Sequence, residues 1–248
     1  MYFFEDTCMP DDEFEISFCE DALELNVSSH NVLNILGIYE QAIFEDGEES
    51  PSSNGVFEKL KSAILSLLDK IGGIVSGFLE SMRIFSKDRI TYDDYKNSET
   101  GQIQLSCDLI AMQKDIDAEY QRMRPIVSKI ANITGKDIDK VERICDKVTE
   151  NLHENRKRYA RDITKVVSAA AVNKISENVV SKMDDVKEWR DKTKESVDRM
   201  KRDTSPALIR AYHDCIRCMG DIANFYKELG IKAKKALLRV DKKRKERK

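Results

Sequence analysis

The stretch "VFEKLKSAILSLLDKIGGIVSGFLESMRIFSK", Val56 to Lys87, decides how the rest of the chain is read. Phe57, Leu60, Ile64, Leu67, Leu68, Ile71, Val75, Phe78, Met82 and Phe85 recur in it every three or four residues, which is the beat of one apolar face on an α-helix about eight turns long. Such a face has three uses: the core of a bundle, a docking surface for a partner or second copy, or contact with a membrane surface. Gly73 and Gly77 stand four apart, a spacing that lets helices approach closely, above all in lipid. Lys59, Lys61, Lys70 and Arg83 suit a headgroup layer, whereas Asp69 and Glu80 oppose it. The candidate partner or membrane face is therefore Phe57, Leu60, Ile64, Leu67, Leu68, Ile71, Gly73, Gly77 and Phe78.

Upstream of this helix the chain is acidic. Residues 1–58 hold 15 Asp and Glu and no Lys or Arg, so residues 59–248 carry 42 basic against 30 acidic groups, a net +12 hidden inside the total of −3. The acidic head and basic body can attract each other, between molecules or within one. In "EFEISF" the alternation of Phe14, Ile16 and Phe18 predicts a short strand or extended piece. "SSHNVLNILGIYEQAIF" predicts a helix with Val32, Ile35, Leu36, Tyr39 and Ile43 on one side. "EDGEESPSSNG", Glu45 to Gly55, has the composition of a linker. The expected organisation is an acidic segment over 1–55, a helical bundle over 56–230 and a basic tail over 231–248.

Downstream, Ser86 to Gly101 reads as a loop, and the apolar beat resumes as Leu105, Leu109, Met112, Ile116, Tyr120, Met123, Val127 and Ile130. Pro125 predicts a kink or a restart. Thr134 with Asp137 has capping-box spacing. No Gly or Pro falls between Lys136 and Ser205; an unbroken helix there would be roughly 100 Å long at 1.5 Å per residue, unless "SAAAVN" conceals a turn. Ile163, Val166 and Ala170 belong to its seam in that reading. Ser205 and Pro206 predict a helix start and Gly230 a helix end. With 35% charged residues, 10 Gly and 4 Pro, the expected fold is all-α: an elongated antiparallel bundle of long, coiled-coil-like helices plus the small acidic segment.

Six cysteines in 248 residues and no basic-then-apolar leader suggest a reducing, intracellular or cytoplasmic setting. No uninterrupted apolar run reaches the ~18 residues expected of a span. His213, Cys215 and Cys218 in "HDCIRC" are the cluster nearest to metal or redox chemistry, but the spacing does not complete four ligands; core thiols are the simpler reading. Trp189 reads as packing. No phosphate-binding loop, dinucleotide fingerprint, nucleophile elbow or zinc-protease motif is present, so no catalytic residue, cofactor or small-molecule substrate is expected. The tail residues Lys242, Lys243, Arg244, Lys245 and Arg247 could meet an anionic membrane or nucleic acid non-specifically. In outline, an acidic head on a helix-rich charged body resembles the scaffolding or internal structural proteins of virus and phage particles. The expected role is non-enzymatic: a helical bundle that self-associates or docks a helical partner.

Overall fold

The computed structural model describes residues 11–46, 51–87, 102–105, 107–159 and 165–245. Six α-helices pack into an all-α bundle: α1 Asp11–Asp46, α2 Pro51–Lys87, α3 Leu109–Val127, α4 Ile138–Tyr159, α5 Ala169–Asp198 and α6 Pro206–Lys245. Two short strands, β1 Gln102–Leu105 and β2 Lys165–Ser168, pair antiparallel beside them. α6 is the axle, packing against all five other helices. Its sequence explains that position. From Cys215 to Tyr226 nearly every residue is buried, as expected of a helix that is apolar or small on all sides. Gly220 admits the Leu25 side chain of α1 and Ile71 of α2.

The acidic head belongs to this core. α1 buries Leu25, Val32, Leu36 and Tyr39 against α2 and α6, and the Tyr39 and Phe57 rings lie 5.6 Å apart. Phe14, Ile16 and Phe18 are helical, not extended: the packing of the downstream turns extends α1 past a local alternation that favoured a strand. The linker is also shorter than its composition implied. Pro51 occupies the first position of α2, where its fixed φ and missing N–H cost nothing. The loop expected over Ser86 to Gly101 gives Ser86 and Lys87 to α2, and the remainder lies outside the described residues.

Of the two readings left open after Lys136, one helix or two with a turn near "SAAAVN", the chain takes the second. α4 ends at Tyr159 and α5 starts at Ala169, with β2 between them. In β2, Val167 is buried and Val166 is exposed, a two-residue period that removes Val166 from the helical seam. Leu105 is likewise the last residue of β1, pairing with Lys165; its four-residue step to Leu109 imitated a helix. Ser168 caps α5 by accepting from the Ala171 N–H at 3.2 Å. Gly230 does not end α6, which continues to Lys245. Other local signals are realised. The Asp137 carboxylate accepts from both the Thr134 N–H and hydroxyl at 3.0 and 2.8 Å, Ser205 accepts from the Leu208 N–H at 3.3 Å, and Pro125 sits in the last turn of α3.

Asp108 ties the ribbon to the bundle. Its side chain caps α3 by accepting from the Ala111 N–H at 3.1 Å and pairs with Lys165 on β2. Burial alone would raise this carboxyl, but the hydrogen bonds from Lys165 and the α3 N-terminus hold it below its ordinary value of 3.8. A depressed carboxyl contributes stability above its unfolded pKa and loses it as pH falls through the folded one. Asp108→Ala should therefore cost about 1 kcal/mol at pH 7. In urea titrations the gap between wild type and variant should shrink below pH 3.8.

Candidate interaction surface

The face read from Val56–Lys87 points inward. Phe57, Leu60, Ile64, Leu67, Leu68, Ile71 and Phe78 are all buried, covered by α1, α5 and α6. Gly73 and Gly77 face away from them, with no other atom within 4 Å of a β-carbon placed on either. Close approach happens at Gly72 instead, where the Arg190 guanidinium of α5 lies 3.0 Å from such a β-carbon. Arg190 donates to the Leu68 carbonyl at 3.1 Å and pairs with Asp69. Lys194 reaches the same carboxylate at 2.8 Å, and its hydrogen bond, followed by the charges of Lys194 and Arg190, holds Asp69 below the usual carboxylate range against its desolvation. Ser53–Ile84 is, by length and composition, long and apolar enough to cross a membrane, although charged residues such as Asp69, Lys70 and Glu80 interrupt it. The same stripe lines the core of the bundle.

The large apolar side chains left outside are concentrated on α1. With Leu25, Val32, Leu36 and Tyr39 turned in, Leu23 is 63% exposed, Val27 61%, Ile38 56% and Phe44 92%. Their spacing places Leu23, Val27 and Ile38 on the side of the helix opposite the buried set, with Phe44 on its flank near the helix end. Between Glu24 and Glu40 the helix carries no Asp, Glu, Lys or Arg. The carboxylates at the borders are turned toward the bundle: Asp21 pairs with Lys227, Glu24 with Lys70 at 3.4 Å and Glu40 with Arg210 at 2.8 Å. The head-to-body attraction is thus met within one molecule at these three pairs. Sequence reading assigned only the inward face of α1, because a helix apolar on both sides does not disclose which side is covered. The basic residues Lys242, Lys243, Arg244 and Lys245 lie in the last turns of α6, and Arg247 lies outside the described residues.

One buried constellation was not foreseen. Ser29 Oγ of α1 lies 2.8 Å from His213 Nε2 of α6, and His213 Nδ1 lies 3.2 Å from Asp214 Oδ1. The order of groups is that of a hydrolytic triad. The setting is different, because Ser29 is deep inside α1, where neighbouring N–H groups are consumed by helical hydrogen bonds and form no oxyanion site. The adjoining cavity is about 10 Å³. The trio acts as a bolt between α1 and α6. Ser29→Ala should lower stability by about 1–3 kcal/mol by stripping a partner from a buried ring nitrogen, read as an earlier urea midpoint with unchanged slope.

The thiols near it are packed. Cys107, Cys145, Cys215 and Cys218 are free and buried, with Cys218 Sγ 3.3 Å from the Cys145 carbonyl oxygen. A hydrogen bond with Cys145, then burial, pushes the Cys218 thiol well above its ordinary value, which keeps it protonated and unreactive. Among the described residues no group of three or more His, Cys, Asp or Glu is arranged to hold a metal ion. Trp189 stacks on Tyr120 with centroids 4.7 Å apart. A groove of about 750 Å³ separates α2 from α5, bordered by Glu80, Arg83, Glu177, Asp184 and Lys187 around Leu79, Met82 and Val180. Its border carries three acidic and two basic side chains. No protein-family model, curated protein or solved structure matches this chain.

Proposed function

We propose that this chain is a non-enzymatic interaction protein whose docking surface is the outward face of α1. One observation carries the reading: Leu23, Val27, Ile38 and Phe44 stand in solvent on one side of a helix that has no charge from Leu25 to Tyr39, in a protein with 35% charged residues. Large apolar side chains gathered in solvent on one uncharged helix mark a candidate contact surface. The rest of the bundle is the scaffold that holds the strip rigid, since both long neighbours of α1 bury their own apolar faces beneath it. Burial of the α2 stripe in the core supports α1, in place of α2, as the helix that meets partners.

The test is site-specific photo-crosslinking in cells. A photo-reactive residue at Ile38 should give discrete adducts, whereas one at Glu188, exposed on α5, should give none of the same mass. Absence of adducts from Ile38, or an identical ladder from both positions, would refute the reading.

A further inference from the structure

α1 and α2 form an antiparallel hairpin that lies on α5 and α6, with Glu24 reaching Lys70 at one end and Tyr39 meeting Phe57 at the other. The hairpin is more apolar than a bundle surface requires. Six of the nine large apolar side chains exposed among the described residues belong to it: Leu23, Val27, Leu33, Ile38 and Phe44 on α1, and Ile84 on α2. Its second helix also has the length and composition to cross a membrane over Ser53–Ile84. The ion pairs that fasten it to the body share one polarity. Asp21, Glu40 and Asp69 stand on the hairpin; Lys227 and Arg210 on α6, and Arg190 and Lys194 on α5, stand opposite them. We infer that these pairs are an acid-released clamp, and that protonating them frees the hairpin to lay the α2 stripe on an anionic membrane surface.

The charge change is directional. Protonation removes negative charge from the hairpin, so Lys59, Lys61, Lys70 and Arg83 leave it cationic and drawn to acidic headgroups. The cations of α5 and α6 stay charged and no longer attract it. Acyl chains are as apolar as leucine, so the stripe from Phe57 to Phe78 exchanges one apolar surface for another, and the clamp decides where it rests. Asp69 sets the acid edge of the window. The Lys194 hydrogen bond and the charges of Lys194 and Arg190 hold its carboxyl below the ordinary 3.8; its contribution is therefore complete at neutral pH and lost as pH falls through the lowered value. An anionic surface concentrates protons and lowers the local pH by about half a unit, which couples release to the place where the stripe is received. The Ser29–His213 contact crosses the same seam without setting the sign, because a protonated ring can donate to both Ser29 and Asp214. Release is separate from docking on the closed bundle, in which the α2 stripe is covered.

Vesicle flotation of the full chain decides it, with phosphatidylcholine vesicles containing phosphatidylglycerol and a series from pH 7 to about pH 3.5. Bound protein should rise roughly tenfold or more over that range, and phosphatidylcholine alone should bind little at either end. Acyl chains carrying a carbene-forming label should mark peptides from 57–82. Trp189, stacked on Tyr120 between α5 and α3, should keep its folded emission, which separates hairpin release from acid unfolding of the whole chain. Asp69→Asn combined with Glu40→Gln imitates part of the protonated clamp on side chains that are partly exposed. With near-ultraviolet dichroism confirming the fold at pH 7, this variant should float at a pH higher than wild type by about half a unit. Binding that does not grow in acid overturns the clamp, as do labels confined to the basic end of α6, Trp189 emission matching the urea-unfolded chain whenever the protein floats, or a folded double variant with the wild-type midpoint. Ile38 adducts at pH 7 are a separate readout, so the docking surface stands or falls independently.

Discussion

Gly230→Ala will destabilise the bundle by about 1–3 kcal/mol, although alanine is the better helix former by about 1 kcal/mol. The reason is geometric. A β-carbon on Gly230 would lie 2.7 Å from Cε2 of Phe78 and 3.1 Å from Cγ1 of Val179, inside the van der Waals surface of a ring that is itself buried. The ring cannot swing away, because Phe78 is packed among the residues that join α2, α5 and α6. Overpacking therefore outweighs propensity. Phe78→Leu, which withdraws the offending ring atoms, costs stability alone yet should suppress the effect of Gly230→Ala. The two sites should couple by about 0.5–3 kcal/mol in a double-mutant cycle. Strict additivity, or a stabilised Gly230→Ala single variant, would mean that α6 does not approach α2 at this point.

Gly230 also shows where reading the sequence stopped. A glycine after an apolar repeat has the local signature of a helix end, and only the arrival of a residue 152 positions away turns it into a contact. Signals that live within four residues were legible: Thr134 with Asp137, Ser205 with Pro206, and the apolar beat from Phe57 to Met82. Features made by distant partners were not. β1 and β2 pair across sixty residues or more, and nothing in "QIQL" or "KVVS" announces its mate. Ser29 and His213 are separated by 184 positions, so the bolt between α1 and α6 has no sequence trace. The candidate surface failed to show for a related reason. Periodicity reports that a helix has an apolar side, while the choice between two such sides on α1 depends on what α2 and α6 cover.

Two phenylalanines separate the surface from the core. Phe78→Ala should cost about 3–5 kcal/mol, a large share of the 5–15 kcal/mol that holds a domain of this kind together. Phe78 is 3% exposed, and its removal leaves a void bounded by Gly230 and Val179. Phe44 is 92% exposed, so Phe44→Ala has no contact to lose within the molecule, and its urea midpoint should stay within about 0.5 kcal/mol of wild type. Both residues are aromatic members of amphipathic helices. If the α2 face worked on a lipid surface and the bundle were loose around it, the Phe78 penalty would fall to the level of Phe44 and appear instead as lost vesicle binding. A penalty of several kcal/mol in the absence of lipid, measured by urea denaturation on the purified chain, fixes Phe78 in the core and leaves α1 as the helix with an apolar face to offer.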